Sequence, residues 1–386
     1  MASRQLSRAD LSSQDRATFV ERWSRLQEAM AEQQLDALIV AARGMIGQFG
    51  NVFYLCGYTP LLRVSYGVLG SNGEPVLFVP SRSDVEVALE RAVLDDVRSS
   101  AEMEVQRSET PMAQAVADEV VRRRPNRVGL VGLGQTVPVA DSHVFEQALR
   151  ESELVDASAM FAAVKARKTK EDLEGLRAGF KLAEHVYQLA PPLLRSGARA
   201  QEVVAELERE LRSNGGLETL VFVDSSPYWV RRNTPTIFQA HDLVMVLVEV
   251  ATVDGYYVEL GGLFSIGEPS PEGKAVADAC YTTLSAIKET IKPNTPIQAA
   301  TAIHEQLATE NKLGLSFALG HGIGIDNDLP TLYRTETSTF QVDQVVSVHP
   351  HYTHPTGVFG GVADAFWVTD GGCQQLSSLD YFLTVL

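Results

Sequence analysis

The segment "HDLVMVLVEVATVDGYYVELGGLFSIGEPSPE", residues 241–272, contains two long apolar runs that are separated by Asp254-Gly255. An Asp-Gly pair between apolar runs is a strong hairpin signal, because glycine adopts the positive φ that a tight turn requires. Both runs have the character of buried strands. They therefore predict a central antiparallel strand pair in the second half of the chain. One acidic residue interrupts each run, Glu249 in the first and Glu259 in the second.

Amphipathic helices and further strands surround this hairpin, and they predict a second domain over residues 159–386. The predicted helices cover residues 168–190, 200–216, 272–291 and 297–311. The predicted strands cover residues 217–223, 242–253, 255–267, 344–353 and 361–369, with another leading through "ALGHGIGIDNDLP" at 318–330. The strands precede and follow one another without a regular helix between each pair. This order predicts an α+β domain on a large antiparallel sheet.

The first part of the chain, residues 1–158, predicts a smaller α/β domain. Buried strands are expected at 35–43 and 127–134, and Asn72-Gly73 marks a hairpin within residues 66–80. Helical periodicity between these strands indicates layers of helix against a sheet.

Composition excludes several classes of protein. The 386 residues carry 33 basic and 49 acidic side chains, a formal net charge of −16, which argues against nucleic-acid binding. No apolar run reaches the length of about 18 residues that a membrane span needs. The first residues contain no apolar signal region, and three well-separated cysteines do not suggest disulfides, so we expect a cytoplasmic protein.

Four segments together resemble the pita-bread family of creatinase, aminopeptidase P, prolidase and methionine aminopeptidase. These are "FYLCGY" at 53–58, "ARKTKEDLEGLRAG" at 166–179, the hairpin at 241–272 and "GHGIGID" at 320–326. Each segment is weak evidence alone, but their order and spacing cover nearly the whole chain. The resemblance implies a creatinase-like N-terminal domain followed by a pita-bread domain, and it implies a homodimer.

Metallopeptidases of that family hold two metal ions with five ligands, and the resemblance places those positions here at Val248, Glu259, His321, His349 and Ala363. Valine and alanine cannot bind a metal, and histidine cannot bridge two ions as a carboxylate does. The resemblance therefore implies that the usual dinuclear site is absent. A shift of one residue would place Glu249 at the first position, but such a shift requires a β-bulge.

The remaining donors are Glu259, His321 and His349, which the resemblance brings to one cavity. A set of two histidines and one carboxylate suits a single divalent ion such as iron, zinc or manganese. The same three residues could act without metal as acid and base. Whether a metal is bound, and whether the chemistry is hydrolytic, eliminative or oxidative, stays open at this stage.

Contacts with a substrate are expected from five further residues. Arg63 and Arg232 could hold an anionic group, and Tyr228 could line the pocket. Asp328 stands where the family has a second histidine, and His351 would share a strand face with His349 by alternation.

Two acidic residues carry structural expectations instead. Glu249, in an apolar run, is expected to pair with an arginine, since an unpaired buried carboxylate is costly. Asp364 is expected to be structural.

The preferred interpretation is an enzyme that acts on a C–N or related bond of a small, amino-acid-like molecule through the Glu259, His321 and His349 site. The first alternative is a catalytically inactive relative that only binds a small molecule. The second alternative is a dinuclear Xaa-Pro peptidase, which the missing ligands disfavour.

Overall fold

The computed structural model describes residues 15–61, 63–100, 111–231, 233–315 and 318–386. The chain forms two compact units that divide between Lys165 and Ala166. No helix in these described ranges combines the length and the apolar character that crossing a membrane demands.

The first unit is a mixed six-stranded sheet with helices packed against it, in the strand order β4-β3-β2-β1-β5-β6. Its strands are β1 (Ala37–Ala42), β2 (Ser65–Gly70), β3 (Val76–Val79), β4 (Val97–Ser99), β5 (Arg127–Val131) and β6 (Glu153–Asp156). Its helices are α1 (Arg16–Glu32), α2 (Gly50–Cys56), α3 (Arg82–Arg91), α4 (Pro111–Arg122), α5 (Val139–Ala148) and α6 (Ser158–Ala166).

The centre of this sheet is apolar throughout, because β1 is buried at all six positions and is covered on both faces. β1 pairs antiparallel with β2 and parallel with β5. Gly73 has a φ of 77°, which confirms the turn predicted at Asn72-Gly73.

The second unit is built on sheets that are antiparallel except for the pairing of β18 with β9, and its described residues form four α-helices. Its helices are α7 (Lys170–Tyr187), α8 (Ala200–Ser213), α9 (Pro271–Thr290) and α10 (Ile297–Glu310), with a 3-10 turn at Pro191–Leu193. Its strands are β7 (Gly216–Asp224), β8 (Leu243–Thr252), β9 (Tyr257–Ser265), β10 (Gly314–Leu315), β11 (Gly320–Gly324), β12 (Asp326–Thr331), β13 (Val345–Val348), β14 (His351–Thr353), β15 (Phe359–Gly361), β16 (Asp364–Thr369), β17 (Gly372–Gln375) and β18 (Thr384–Val385).

Three sheets result, with the orders β18-β9-β8-β7, β12-β11-β13-β16-β17 and β10-β14-β15. The first two are joined by a bridge between Gly261 and Ala363. β8 and β9 form the predicted hairpin, and Gly255 at its turn has a φ of 78°. The first helix of this unit, α7, begins with a capping box in which Thr169 and Asp172 satisfy each other's backbone N–H groups. The two-domain α+β prediction is therefore confirmed.

One strand was predicted wrongly. Residues 344–353 were expected to form a single strand, but the structure divides them into β13 and β14, which belong to different sheets. Pro350 lies at the division, and proline has no N–H to donate to a strand ladder. The break matters for the site, because His349 and His351 no longer share one strand face.

Candidate metal centre

Glu259, His321 and His349 converge in the second unit. Their nearest metal-binding atoms all lie within 4.8 Å of one another. Oε1 of Glu259 is 3.7 Å from Nε2 of His321 and 3.8 Å from Nε2 of His349. These distances are longer than the donor–acceptor distance of a hydrogen bond. They match the separation of about 3–4 Å between two donors that each sit about 2.1 Å from one ion.

The strand pairing explains why these residues meet. β11 and β13 are neighbours, with His321 opposite Ser347 and Gly320 opposite Val348, so His349 follows β13 beside His321. Glu259 lies on β9, two residues before the Gly261–Ala363 bridge that joins the two larger sheets.

The carboxylate of Glu259 is the strongest indication that the cluster is built for a bound group. Glu259 is only 2% exposed, and its Oε1 has no hydrogen-bond partner among the described residues. A buried charged oxygen without a hydrogen bond is costly. A divalent cation shared with the two imidazoles would satisfy it, so the donor set fits one ion.

The histidines are prepared to offer Nε2 as a ligand. Nδ1 of His321 donates to the carbonyl oxygen of Gly322 at 3.0 Å, which leaves the lone pair on Nε2. Burial lowers the pKa of His349, an effect that Glu259 opposes and His321 reinforces. A neutral imidazole is the form that binds a metal.

Glu249 is paired differently from the sequence expectation. The β8–β9 ladder sets Glu249 directly opposite Glu259, without a bulge, so both side chains lie on one face and Val248 lies on the other. The hydroxyl of Tyr257 lies 2.6 Å from Oε2 of Glu249 and 3.2 Å from Oε2 of Glu259. The expected arginine partner was wrong: among the described residues the partner is Tyr257.

The two carboxyl groups are driven to opposite protonation states. Burial, and then the charge of Glu259, raise the pKa of Glu249 to about 8. Burial acts on Glu259 in the same direction, but His321 and His349, with the hydroxyl groups of Ser347 and Tyr257, outweigh it and lower the pKa of Glu259. The opposite directions of the two shifts favour the proton on Glu249 and the negative charge on Glu259, which is the charge a metal would require.

The positions expected for further metal ligands are apolar. Val248 is fully buried opposite Leu260, on the strand face away from Glu259. Ala363 is 1% exposed and bridges Gly261. Val248 and Ala363 offer no ligand atom, and the three donors among the described residues are consistent with a single ion.

His351 is buried beside one of the three donors, with its ring centroid 5.6 Å from that of His349. Its ring stacks on Trp229 with centroids 5.0 Å apart and planes 7° apart, and its Nδ1 donates to the carbonyl oxygen of His349 at 2.5 Å. The residue is 1% exposed, and its predicted contact with a substrate stays a prediction. The stacking on Trp229 and the hydrogen bond to His349 both stabilise the backbone next to His349.

The other predicted substrate contacts belong to different segments of the sequence. Tyr228 is exposed, in the loop after β7, while Arg232 lies outside the described residues. Arg63 belongs to the first unit, just before β2, and is half-buried. Asp328 is buried in an ion pair with Lys168, whose Nζ is 2.7 Å from Oδ2. Substrate contact by these residues stays a prediction.

Sequence reasoning did not identify three residues near the centre. Tyr257 lies two residues before Glu259 on β9, so strand alternation in the sequence predicts that both side chains lie on the same face. Ser347 is buried opposite His321, and its hydroxyl helps to lower the pKa of Glu259. His304 is buried on α10, and its Nε2 has no hydrogen-bond partner among the described residues. Burial, and then His349, lower the pKa of His304 to about 4. The packing of α10 brings His304 close to His349, and no sequence signal predicts this contact.

Asp364 has the structural environment that was expected. Its carboxylate accepts hydrogen bonds from the hydroxyls of Ser377 and Tyr381 and from the N–H of Ala365. Burial nevertheless raises its pKa from the ordinary value of 3.8 to about 6, since the desolvation cost exceeds the benefit of these donors.

This shift predicts a pH dependence of stability. The folded state retains the proton of Asp364 when the unfolded state has lost it, so the stabilisation is complete below about pH 4 and is lost as the pH rises through 6. About two pKa units correspond to about 3 kcal/mol. Calorimetry between pH 4 and 7 should show this loss relative to Asp364→Asn. The exposed Asp370→Asn is the control, and equal slopes in wild type and Asp364→Asn would contradict the assignment.

Comparison with known proteins agrees with this architecture. An uncharacterized hydrolase/peptidase of Sinorhizobium fredii is 25% identical, over 96% of this chain and 97% of its own length. A Xaa-Pro dipeptidase of Pyrococcus furiosus is 21% identical, over 93% and 98%. The crystal structure of a prolidase from Thermococcus sibiricus superposes with a TM-score of 0.81 at 17% identity, over 97% of this chain and all of that one.

Two family models account for most of the sequence. The creatinase/prolidase N-terminal domain matches residues 22–166, and metallopeptidase family M24 matches residues 174–370. The second match includes every residue of the candidate metal centre. With its creatinase-type first unit and its pita-bread second unit, this chain belongs to metallopeptidase family M24.

Proposed function

We propose that the chain is a hydrolase that cleaves a C–N bond of a small, amino-acid-like molecule with one divalent ion, held by Glu259, His321 and His349. The observation that carries the proposal is the unpaired Oε1 of Glu259, which is buried between two imidazoles at 3.7 and 3.8 Å. Membership of a metallopeptidase family supports hydrolysis over other reactions. The apolar residues at the remaining ligand positions favour one ion over two.

Each residue has a separate part in this proposal. A single divalent ion supplies Lewis-acid polarisation and a bound water of lowered pKa. Glu259 provides the negative charge, and Gly322 holds the ring of His321 so that Nε2 faces the cluster. His349 is 5% exposed and excludes solvent from the inner side. The side chain of His321 is 23% exposed, so the substrate would approach from that side.

Metal dependence and reaction class can be tested together. Untagged protein is stripped with a chelator, reloaded with zinc, manganese or ferrous iron, and assayed on Xaa-Pro dipeptides, other dipeptides and N-acyl amino acids. We expect activity on one of these classes to return with metal and to be absent from Glu259→Gln. The exposed Glu305→Gln is the matched control. Activity that survives chelation would instead support the metal-free acid–base alternative.

A protein that binds metal but cleaves none of these substrates would contradict hydrolysis. Saturable binding of the same molecules without turnover would support the binding-only alternative. The homodimer and the cytoplasmic location remain predictions beside this proposal.

A further inference from the structure

A cavity lies in the second unit, and it is lined by residues other than the three-residue cluster. It has a volume of about 220 Å³ and is lined by the end of α7, by β9, by α9 and by the C-terminal segment. Drug-sized sites usually measure about 300–1,000 Å³, so this cavity suits a smaller molecule. None of its lining residues belongs to the candidate metal centre.

Two tyrosine hydroxyl groups in the lining of this cavity donate no hydrogen bond to the described residues. The hydroxyl of Tyr187 makes no hydrogen bond with the described residues, although its ring packs against Phe264. The hydroxyl of Tyr281 accepts the N–H of Leu263 at 3.0 Å but donates to no described residue. Tyr381 differs from them, since its proton is given to Asp364. The wall therefore offers two O–H donors in need of acceptors.

Gly262 keeps these two hydroxyls accessible. A Cβ at this position would lie 2.2 Å from the hydroxyl oxygen of Tyr187 and 3.2 Å from that of Tyr281. The residue is in the middle of β9, and its φ is outside the left-handed region that demands glycine. Space rather than backbone conformation explains glycine here, and a side chain would fill the cavity.

The charge at the rim selects the ligand further. Asp380 is exposed at the rim, and no lysine or arginine occurs among the residues that the structure assigns to the lining. Phe382 also belongs to the lining and is exposed, and an aromatic ring attracts a positive group. The hydroxyl of Ser378 donates to Glu184 at 2.9 Å, which fixes the segment that carries Asp380.

We propose that this cavity is a second binding site for a small ammonium compound that also carries a hydroxyl or carboxylate oxygen. The oxygen accepts from Tyr187 and Tyr281, and the ammonium group lies toward Asp380. Amino acids and amino alcohols belong to this class. The site is separate from the proposed reaction centre, and it does not depend on the presence of a metal.

The test uses the metal-stripped full chain and titrates it with L-serine, ethanolamine and propionate. We expect saturable binding of serine or ethanolamine, and none of propionate, which has no ammonium group. Tyr187→Phe should weaken binding about tenfold, because one hydrogen bond to a charged or polar ligand is worth about 1.4 kcal/mol. Gly262→Ala should abolish it, and the exposed Tyr333→Phe should not change it.

Tyr187→Phe removes one oxygen only, so it keeps the test decisive if Gly262→Ala does not fold. Glu259→Gln separates this cavity from the candidate metal centre, and we expect it to bind the probes like wild type. Failure of all three probes to bind, binding that is insensitive to Tyr187→Phe, or binding that is lost in Glu259→Gln would overturn the proposal.

Discussion

Glu259→Gln should lower the affinity for a divalent ion by more than about 100-fold, the upper range for loss of a residue that only supports a ligand. Glutamine retains the volume and one oxygen donor, but it removes the negative charge of the cluster. Burial lowers the pKa of His349, so this residue contributes a neutral donor that does not replace the lost charge. Isothermal titration with zinc or manganese measures the change.

The same substitution should leave the fold intact. Glu305→Gln, exposed on α10, is the matched control and should bind metal like wild type. Circular dichroism of both variants without metal checks that secondary structure is retained. Unchanged metal affinity in a folded Glu259→Gln variant would remove Glu259 from the ligand set and with it the proposed function.

Asp328→Asn should destabilise the second unit by about 3–5 kcal/mol, the range for breaking a buried ion pair on one side. The side chains of Lys168 and Asp328 are 1% and 0% exposed, and their charged atoms are 2.7 Å apart. The variant leaves the Lys168 charge buried opposite a neutral amide. Scanning calorimetry of the full chain measures the loss as a lower midpoint for the second unit.

A double variant separates the lost pair from lost packing. Lys168→Met with Asp328→Leu removes both charges, and such replacements are often neutral or stabilising. We therefore expect the double variant to be more stable than Asp328→Asn. A single variant as stable as wild type would show that the pair contributes little, and Asp328 would then be available for the substrate contact that the sequence suggested.

The hairpin and the sheet-forming strands were predictable because they depend on local signals. Apolar runs around Asp254-Gly255 define two strands and a turn, whichever residues pack against them. Pro350 divided a predicted strand, and the missing N–H of proline was a sequence signal that deserved more weight. The consequence of this break is that the ring of His351 stacks on Trp229, and that contact depends on packing between distant segments.

The candidate centre was predictable only in part. Resemblance to a known family brought Glu259, His321 and His349 together, since the spacing within this sequence does not relate three separate strands. The prediction of an arginine partner for Glu249 was wrong, because the cross-strand register decides which side chains face each other. His304 on α10 was missed because helix packing brings it near His349, and one sequence contains no signal for that contact.

The number of ions at this centre tests the account most directly. Crystals of the protein grown with saturating zinc or manganese and measured at the absorption edge of the metal would locate each ion by its anomalous scattering. We predict one peak per chain, between Oε1 of Glu259 and Nε2 of both His321 and His349. Two adjacent peaks, or none near these three atoms, would contradict it.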